Sequence, residues 1–436
     1  MNIAVVGLGF VGLSISSVLA SKNYNVIGID IDNQKCSDIR NGVLPLFEPG
    51  LENTLRVGLK KKLTISNNFS LIKNCDMIFV TVGTPQKSNG AIELSMIKKA
   101  TTTIGQIIRK SKKNPTVFIK STVVPGTTQD VILPILEKTS GKKANIDFGL
   151  ISNPEFLQES NAIRDTKYPH AIILGGKQTK YMKKAKMFFS KMHPNVPIII
   201  TNFQTAEMIK YANNSFLATK ISFINQLSNI CQNIPGANID DIAKTIGLDP
   251  RIGALFLNAG PGYGGSCLPK DMKALISFAD KIGTNPTLLN AVEKINQKQI
   301  QNIISLMEKT LGTLASKRIT VLGTAFKPNT DDVRDSIAIE LIKKLLKKKS
   351  RNTIYDPKAM KNTRNVFGEK IIYAGSIADA LNKSQCAILM THWKQFERFN
   401  NNSMKHMSKK FIIDCRRILV EKELQAEYHA IGIGKI

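Results

Sequence analysis

The sequence of 436 residues predicts an α/β fold in which two doubly wound sheet domains are joined by a central helical domain. Three observations support this prediction. Short apolar runs alternate with helical stretches over the first 200 residues, a long helical region follows, and the alternation resumes near Lys317. Because strands that alternate with helices form parallel sheets with helical crossovers, we expect Rossmann-like domains at residues 1–200 and 311–436. The helical domain is expected at residues 201–310.

The first domain opens with a strand, a helix and a second strand. Residues 3–6 have the apolar composition of a buried strand, residues 13–19 continue with helical character, and residues 25–30 restore a strand. The further strands predicted in this domain are residues 77–82, 116–119 and 148–151. The chain therefore begins with a βαβ unit that leads into a parallel sheet.

A glycine motif lies between the first predicted strand and its helix. Gly7, Gly9 and Gly12 follow the strand directly, and Asp30 ends the next strand. Glycines at this spacing permit a tight turn and let a pyrophosphate approach the helix N-terminus. A carboxylate at Asp30 would accept hydrogen bonds from a ribose 2′-hydroxyl and repel a 2′-phosphate. A glycine turn needed only for packing is the alternative, but the strand, turn and helix context favours NAD as the cofactor, in preference to NADP.

The central region is helical. Residues 204–233 form one long predicted helix that Pro235 and Gly236 end, and helical character continues over residues 238–310. A long middle helix can hold two sheet domains or two subunits together, and the pattern is consistent with both roles.

The second sheet domain follows this helical region. Its predicted strands are residues 318–322, 353–355, 387–390 and 411–413. Ligands of open parallel sheets bind at the carboxyl ends of the strands. Four polar segments of the chain fall at such ends, namely residues 82–85, 120–123, 152–159 and 326–334. We expect these segments to face a cofactor or substrate, although a capped turn is the alternative for each.

Composition limits the class of protein. The six cysteines are scattered, with no Cys-x-x-Cys pair, which favours a reducing compartment and predicts no metal site. The chain shows no basic secretion leader and no apolar run of membrane-spanning length, so we expect a cytoplasmic protein without a membrane partner.

The formal net charge of +28 is the compositional anomaly. The lysines occur in separate clusters, and aromatic residues are not interleaved with them as stacking platforms for bases. In the cluster at residues 343–349 they share a helical pattern with apolar residues, which is typical of the solvated side of an amphipathic helix. We therefore expect no nucleic-acid partner, while phosphate-bearing ligands would be attracted.

Cys267 is the candidate nucleophile. It follows Gly264, Gly265 and Ser266, and Lys270 and Asp271 lie just beyond it. A thiol held among glycines with charged residues close by is typical of a nucleophile in a tight pocket. Together with a hydride acceptor, this thiol indicates an oxidation that passes through a thioester.

Over nearly its whole length the chain resembles the nucleotide-sugar 6-dehydrogenases of the UDP-glucose/GDP-mannose dehydrogenase family. The resemblance is carried by five segments in the same order as in that family: residues 7–12, 153–157, 207–214, 264–271 and 326–334. It implies oxidation of the C6 alcohol of a sugar to an acid with two NAD. The cysteine traps the intermediate aldehyde as a thiohemiacetal, which is oxidised to a thioester and hydrolysed.

The resemblance also implies roles for individual residues. The catalytic residues that it implies are Glu155, Glu159, Lys210, Asn214, Cys267 and Asp271. The implied cofactor-binding residues are Gly7, Gly9, Val11, Gly12, Asp30, Lys35, Thr84, Thr122, Glu155, Lys270 and Arg334. The implied substrate-binding residues are Glu155, Phe156, Leu157, Lys210, Asn214, Arg251, Phe256, Leu257, Asn258, Gly260, Gly264 and Lys327. Because Lys210 and Asn214 are four apart on one predicted helix, an ammonium and an amide can donate to one oxyanion.

The substrate and partner follow from the same resemblance. Residues 251–253 resemble the branch that oxidises UDP-glucose, although GDP-mannose dehydrogenases share residues 264–271 and remain the closest rival. UDP-N-acetylhexosamine is a further alternative. In the family an arginine that matches Arg251 reaches the substrate of a second subunit, which implies a homodimer through the central helical domain. A non-catalytic polyanion-binding protein on the same fold is the alternative of another class.

Overall fold

The computed structural model describes residues 1–420 and 422–434, and the chain forms two compact units, Met1–Asn213 and Asn214–Ile436. The boundary between the units falls within one long helix. Each unit contains a sheet built mainly from parallel strands.

The first unit alternates strands and helices. Its strands are β1 (Asn2–Val6), β2 (Asn25–Ile29), β3 (Leu63–Ser66), β4 (Met77–Val80), β5 (Thr116–Ile119), β6 (Gly149–Ser152), β7 (Ile172–Gly175) and β8 (Ile198–Thr201). Its helices are α1 (Phe10–Ser21), α2 (Asn33–Arg40), α3 (Leu51–Lys61), α4 (Ser95–Lys110), α5 (Leu133–Ser140), α6 (Ala162–Lys167), α7 (Lys180–Met192) and the start of α8 (Phe203–Cys231).

The eight strands form one sheet in the order β3-β2-β1-β4-β5-β6-β7-β8. Neighbouring strands are parallel except at β6 and β7, which pair antiparallel through Ser152 and Gly175. The five strands predicted in this unit are confirmed, with bounds that differ by at most two residues. The sequence pattern did not single out β3, β7 and β8.

The core of the first unit explains why its strands are continuously apolar. Every residue of β4, β5 and β6 is buried, as expected for parallel strands with helices on both faces. Phe79 and Phe118 stack at 4.6 Å between ring centroids on neighbouring strands, and Phe189 of α7 meets the Phe118 ring edge-on. Aromatic packing of this kind adds to the area that the sheet buries.

The second unit begins with helices and ends in a sheet. After α8, its helices are α9 (Ile239–Gly247), α10 (Leu268–Lys281), α11 (Thr287–Leu311), α12 (Ile337–Lys347), α13 (Met360–Phe367) and α14 (Ile377–Leu381). Its strands are β9 (Arg318–Leu322), β10 (Arg351–Tyr355), β11 (Ile372–Tyr373), β12 (Cys386–Leu389), β13 (Phe411–Asp414) and β14 (Glu427–Ala430). All strands are parallel, in the order β11-β10-β9-β12-β13-β14. The predicted α/β architecture with two parallel sheets and a helical central region is confirmed.

Both sheets have a point at which the strand order reverses. It lies between β1 and β4 in the first sheet and between β9 and β12 in the second. Open α/β sheets bind ligands outside the carboxyl ends of the strands at such a point. The loops that follow these four strands are therefore the expected places for ligand binding.

The two sheets share one local arrangement at this point. Asp30, which follows β2, accepts a hydrogen bond from the backbone N–H of Leu8 at 2.8 Å. Asp356, which follows β10, accepts from the backbone N–H groups of Thr324 and Ala325 at 2.7 and 3.0 Å. In each sheet, a buried carboxylate beyond one strand thus fixes the loop beyond its neighbour.

Three features are absent from the described part of the chain. Within residues 1–420 and 422–434, no helix is both long and apolar enough to span a membrane. Over the same residues, no three or more histidine, cysteine or acidic side chains are grouped so as to hold a metal ion. The six cysteines all lie in this described part, and none of them forms a disulfide.

Candidate functional site

The loop between β1 and α1 is shaped by two glycines. Gly7 has a φ of 98°, a left-handed conformation that favours glycine. A Cβ atom on Gly12 would lie 1.8 Å from the carbonyl oxygen of Gly7, so no side chain fits there. These two positions let α1 begin directly against the end of β1.

The same loop leaves room for an anionic group. Gly9 is the N-cap of α1, and a Cβ atom there would have no atom of the chain within 4 Å. No side chain caps the N-terminus of α1, and its first turn holds no acidic residue. Open N–H groups at a helix N-terminus, next to free space, are what a pyrophosphate needs. The residues at this loop therefore fit the pyrophosphate of a dinucleotide.

Asp30 lies beside this loop, and it is only 7% exposed. Its Oδ2 accepts from Leu8 and lies 3.0 Å from Nζ of Lys35, and its Oδ1 accepts from the backbone N–H of Asp32. Ile31 is 74% exposed next to it, so an apolar surface flanks the carboxylate. The structure thus brings together Asp30 and Lys35, two of the residues assigned to the cofactor. Val11 of α1 packs against the core.

Two threonines join the loops after β4 and β5. The Thr84 hydroxyl donates to the carbonyl oxygen of Thr122 at 2.8 Å. Thr81, just after β4, donates its hydroxyl to the carbonyl oxygen of Gly7 at 2.7 Å. The loops that follow β1, β4 and β5 are therefore connected into one edge of the first sheet. Threonines often serve only as turn residues, but Thr84 and Thr122 meet at the edge where ligands bind.

A buried ion pair lies in the first unit. Nζ of Lys210 in α8 is 3.3 Å from Oε1 of Glu155, and the two side chains are 5% and 8% exposed. The other oxygen of Glu155 accepts from the backbone N–H of Leu157. Nζ of Lys210 also lies 5.5 Å from the centre of the Phe156 ring, within the range of a cation–π contact. The structure thus brings together Glu155, Phe156, Leu157 and Lys210, four residues that the family resemblance assigned to substrate binding.

Lys120 joins this group, although the sequence did not single it out as a site residue. It follows β5, and its Nζ donates to the side-chain and backbone oxygens of Asn153 at 3.0 and 3.2 Å. Burial is the largest cause that lowers the pKa of Lys120 to about 8, and Lys210 lowers it further while Glu155 opposes the shift. Its position directly after a buried strand is the sequence feature that could have identified Lys120 as a site residue.

The loop around Glu159 is held by a second carboxylate that the sequence did not single out. Glu159 is partly exposed. Its neighbour Ser160 and the following Ala162 donate their backbone N–H groups to Glu48 at 2.8 Å each. Glu48 is 3% exposed and lies more than a hundred residues earlier in the chain, so no local pattern could identify it.

Glu207 is a third residue that the sequence did not assign to the site. It lies one turn before Lys210 on α8 and is 2% exposed. Its two oxygens accept from the backbone N–H groups of Gly126 and Thr128 at 2.7 and 2.8 Å. Burial raises the pKa of Glu207 to about 7, although these hydrogen bonds oppose the shift. Glu207 therefore ties α8 to the segment that follows Thr122.

In the second unit, Cys267 is exposed at the N-cap of α10. A helix N-terminus stabilises negative charge, which suits a thiolate. The other five cysteines are buried. Burial raises the pKa of the Cys75 thiol to about 12 and also raises the pKa of the Cys386 thiol. Cys267 is thus the one exposed thiol in a chain whose other thiols are shielded.

Close packing fixes the loop that carries Cys267. A Cβ atom on Gly264 would lie 2.3 Å from the carbonyl oxygen of Asp335, and one on Gly265 would lie 2.6 Å from the Phe326 ring. The backbone N–H of Tyr263 donates to Asn296 of α11 at 2.8 Å, and Asn296 donates back to the Tyr263 carbonyl at 3.0 Å. The glycines before the thiol are therefore required by the approach of residues 326–335.

Asp271 organises the first turn of α10. It accepts a hydrogen bond from the side-chain amide of Asn214 at 2.6 Å, and Lys270 donates to its other oxygen. Asp271 is 1% exposed and Asn214 is 4% exposed. The structure thus brings together three residues that the sequence assigned to catalysis or to the cofactor.

The remaining predicted residues of the second unit form the loops around this centre. Leu257 and Gly260 are buried and Asn258 is exposed, and Phe256, which precedes them, adopts a φ of 66°. The Gly260 N–H donates to Asn225 of α8 at 2.7 Å. The predicted residues with charged side chains in these loops lie nearer the surface. Lys327 is partly exposed, and its ammonium lies over the Phe326 ring. Arg251 and Arg334 are exposed and pair with Asp249 and Asp332.

Comparisons with known families match three parts of this chain. A model of the NAD binding domain of the UDP-glucose/GDP-mannose dehydrogenase family matches residues 1–193. The central domain of the same family matches residues 204–298, and its UDP binding domain matches residues 320–421. The three matches follow the order of the elements along the chain.

Individual relatives are similar over almost the whole chain. A UDP-glucose 6-dehydrogenase of Haloferax volcanii is 38% identical, with 97% of this chain and 98% of the relative covered. A UDP-glucose 6-dehydrogenase of Bacillus subtilis is 37% identical, with 99% and 93% covered. Among solved structures, a UDP-glucose dehydrogenase from Pyrobaculum islandicum matches with a TM-score of 0.92 and 32% identity, covering 99% of this chain and 98% of its own. A UDP-D-ManNAc dehydrogenase from Pyrococcus horikoshii matches with a TM-score of 0.88 and 27% identity, with both chains fully covered.

Proposed function

This chain belongs to the UDP-glucose/GDP-mannose dehydrogenase family, and from that membership we infer that it is an NAD-dependent UDP-glucose 6-dehydrogenase. The reaction is a four-electron oxidation of the sugar C6 alcohol to a carboxylate. Its product is UDP-glucuronate. The enzyme acts in the cytoplasm as a homodimer whose central helical region joins the subunits.

The observation that carries this proposal is the state of Cys267. It is the exposed thiol among six cysteines, and it lies at the N-terminus of α10, where negative charge is stabilised. A dehydrogenase that stopped at the aldehyde would need no nucleophile. An exposed thiol in this setting supports a second oxidation that starts from a covalent adduct.

The loop after β1 would hold NAD, which when bound supplies the hydride acceptor for both oxidations. The open N–H groups of α1 and the space beside Gly9 receive its pyrophosphate. The Asp30 carboxylate accepts hydrogen bonds from its ribose, and Lys35 keeps that carboxylate oriented. Thr84 and Thr122 line the same edge of the sheet.

The chemical steps at C6 balance as follows. In the first oxidation the alcohol carbon loses a hydride and the hydroxyl loses a proton, which leaves an aldehyde. The Cys267 thiolate then forms a C–S bond to that carbon as the C=O π bond opens, and the oxygen takes up a proton to give a thiohemiacetal. Loss of a second hydride from the carbon and of that proton from the oxygen gives a thioester. Water adds to the thioester carbonyl, the C–S bond breaks, and the thiolate and the acid are released.

Charge that develops on the C6 oxygen is stabilised by Lys210 and Asn214. They are four residues apart on α8, and a buried ammonium and a buried amide are strong oxyanion donors because little water competes with them. Glu155 keeps the Lys210 side chain in place through their ion pair. Asp271 orients the Asn214 amide and, with Glu159, handles the protons of the hydrolytic water.

Further residues are assigned to the nucleotide-sugar. Phe256, Leu257, Asn258, Gly260 and Gly264 lie along it, and Lys327 meets its diphosphate. Arg251 is 87% exposed and pairs with Asp249 two residues away, which supports a role toward a second subunit. Arg334 and Lys270 would contact NAD.

NADH formation tests the proposal directly. Purified protein is supplied with NAD and UDP-glucose, and NADH is followed by absorbance while the sugar consumed is counted separately. Two NADH per UDP-glucose are expected. GDP-mannose and UDP-N-acetyl sugars are run in parallel, and a higher kcat/KM with either would replace UDP-glucose as the substrate.

Cys267→Ser separates the two halves of the reaction. This variant is expected to lose the formation of the acid, because a hydroxyl at the N-cap is a much weaker nucleophile than a thiolate. Ser266→Ala is the control: it removes the hydroxyl that lies 3.7 Å from the Cys267 sulfur but keeps the thiol, so formation of the acid should persist. Absence of NADH with all three sugars, together with tight and salt-sensitive binding to RNA or DNA, would instead identify a polyanion-binding protein.

A further inference from the structure

The segment that leads to Cys267 has little conformational preference of its own. Residues 260–266 contain four glycines, and Gly262 and Gly265 adopt φ values of 118° and 87°, in the region that favours glycine. Glycine loses more conformational freedom on folding than any other residue, so contacts from outside must set the course of this segment. The proposed reaction requires such control, because the Cys267 thiol has to reach one carbon atom.

Tyr263 is the largest side chain of this segment and its anchor. It is 3% exposed and packs with Ala218 of α8, Met272 of α10 and Val292 of α11. Its hydroxyl donates to the carboxylate of Glu293 on α11 at 3.1 Å. These contacts hold the ring in place. They do not satisfy the backbone N–H and C=O of this buried residue, which need partners of their own.

Asn296 supplies both of these partners. Its Oδ1 accepts from the backbone N–H of Tyr263 at 2.8 Å, and its Nδ2 donates to the Tyr263 carbonyl oxygen at 3.0 Å. Asn296 is 6% exposed and lies three residues after Glu293 on α11, so one face of this helix holds Tyr263 by its side chain and by its backbone. A contact at two points fixes the orientation of the backbone as well as its position.

The glycines on either side of Tyr263 make this contact possible. A Cβ atom on Gly262 would lie 2.6 Å from Oδ1 of Asn296, so only a glycine allows the amide to approach. A Cβ atom on Gly264 would lie 2.3 Å from the carbonyl oxygen of Asp335. Because the backbone is packed this closely, a shift at Tyr263 cannot be absorbed locally and is passed on toward the thiol four residues later.

We propose that Asn296 is a positioning residue that places the Cys267 thiol for its attack on the aldehyde carbon. It acts through the backbone of Tyr263. The inference rests on the proposed function of Cys267 as the nucleophile. It concerns the second oxidation, because the first oxidation needs a hydride acceptor but no thiol.

Asn296→Ala removes both hydrogen bonds to Tyr263. The second oxidation should slow by about 10- to 100-fold, because a misplacement of about 1 Å is enough to cost this much. The first oxidation should change by less than about twofold. Each UDP-glucose consumed should then yield fewer than two NADH, and the aldehyde that accumulates is trapped with hydroxylamine and identified by mass spectrometry. When the C6 aldehyde is supplied as the substrate, kcat should fall while the KM for NAD changes by less than about twofold.

Asn296→Asp tests the same contact with almost no change in volume. Its carboxylate can still accept from the Tyr263 N–H, but it has no donor for the Tyr263 carbonyl oxygen. The second oxidation should again slow by about 10-fold or more, and the first should be retained. Thermal unfolding of both variants establishes that they are folded at the assay temperature, and Asn296→Asp decides the question if Asn296→Ala does not fold.

Ser222→Ala is the matched control. Ser222 is buried on α8, and its hydroxyl donates to the carbonyl oxygen of Val292 on α11 at 3.1 Å. This variant therefore also removes a buried hydrogen bond at α11, but one that does not involve residues 260–267. It should keep two NADH per sugar, as should any change that only lowers stability and slows both oxidations alike. The inference is overturned if the folded Asn296 variants keep two NADH per sugar and the original kcat with the aldehyde, or if Ser222→Ala reproduces their loss.

Hydrogen exchange tests the contact without any turnover. In the full-length protein, peptides that cover residues 262–267 should exchange their amide hydrogens about 10-fold or more faster in Asn296→Ala, because the Tyr263 N–H has lost its acceptor. The same peptides should exchange at the original rate in Ser222→Ala. Unchanged exchange in Asn296→Ala would refute the positioning role even in a protein that forms no NADH. Absence of NADH from the unmodified enzyme counts separately, against the proposed function.

Discussion

Asn214 donates its side-chain amide to the carboxylate of Asp271 at 2.6 Å, across 57 positions of the sequence. Both side chains are buried, and Lys270 donates to the second oxygen of the same carboxylate. Asp271 therefore accepts at both oxygens and fixes the orientation of the amide. One N–H of the Asn214 amide is committed to Asp271, so this contact directs the second N–H, which the proposed reaction uses as a donor to the reacting oxygen.

Replacing Asp271 with asparagine should damage both the fold and the reaction. The new amide has one acceptor oxygen, so it leaves either Asn214 or Lys270 facing an N–H₂ group. We expect a loss of about 1 to 3 kcal/mol in the free energy of unfolding. We also expect a drop of about 100-fold in kcat for the complete oxidation. Denaturant unfolding and NADH release measure these two effects.

The control for this prediction lies on the same helix. Asp280→Asn also removes one negative charge from α10, but at an exposed position near its end. It should leave kcat within about twofold of the original value. Equal kcat for both variants would contradict a role of Asp271 in orienting Asn214.

The contact between Asp30 and Lys35 predicts a change in cofactor preference. Asp30→Ala removes the carboxylate that repels a 2′-phosphate and releases the Lys35 ammonium that now lies 3.0 Å from it. The ratio of kcat/KM for NADP to that for NAD should rise by about 10- to 100-fold. Steady-state kinetics with both cofactors measure this ratio. Asp38→Ala, on helix α2 with Lys35, is the control. An unchanged ratio in Asp30→Ala would show that Asp30 does not face the ribose.

Two glycines of one loop predict opposite outcomes. A Cβ atom on Gly12 would overlap the Gly7 carbonyl oxygen, so Gly12→Ala should cost about 1 to 3 kcal/mol of stability. A Cβ atom on Gly9 meets no atom of the chain, so Gly9→Ala should unfold at a Tm close to that of the unmodified protein. Its KM for NAD should nevertheless rise by about 10-fold or more, because the methyl group occupies the space offered to the pyrophosphate. Normal NAD kinetics in Gly9→Ala would place the pyrophosphate elsewhere.

Local patterns predicted the parts of the fold and site that are close together in the sequence. The strand, glycine turn, helix and Asp30 all fall within the first 30 residues, and periodicity with turn chemistry is enough to identify them. The exposed Cys267 was likewise expected from its glycine neighbours. These predictions depended on particular residue types at fixed spacing in the sequence.

The residues that were not predicted are connected through space. Glu48 accepts hydrogen bonds from the backbone of residues 160 and 162. Asp356 fixes a loop of the second sheet in the same way as Asp30 fixes a loop of the first. A buried carboxylate looks like any other acidic residue until its partners are known, because its hydrogen bonds go to backbone groups that leave no mark in the sequence. Lys120 was expected only as a member of the ligand-facing segment 120–123, because its hydrogen bonds to Asn153 cannot be read from the sequence.

Glu207 predicts how stability changes with pH. Burial raises the pKa of this carboxyl from its ordinary value of 4.5 to about 7, so the folded protein binds a proton there more tightly than the unfolded chain does. Its contribution to stability is therefore complete below about pH 4.5 and is lost as the pH rises through about 7. Glu207→Gln is neutral throughout, so it lacks this dependence.

The difference in unfolding free energy between the two proteins isolates this group. Relative to Glu207→Gln, the unmodified protein should lose about 3 kcal/mol between pH 4.5 and pH 7, and the difference should then stay constant. His193, whose pKa is lowered to about 4 by burial, contributes the opposite slope, but it is present in both proteins and cancels. Glu137→Gln, at a partly exposed position of α5, measures the general effect of removing one negative charge from a chain of net charge +28. If the unfolding free energies of the unmodified protein and Glu207→Gln change in parallel with pH, the prediction is contradicted. The Glu207 carboxylate would then be ionised in the folded state, because the hydrogen bonds from Gly126 and Thr128 outweigh the effect of burial.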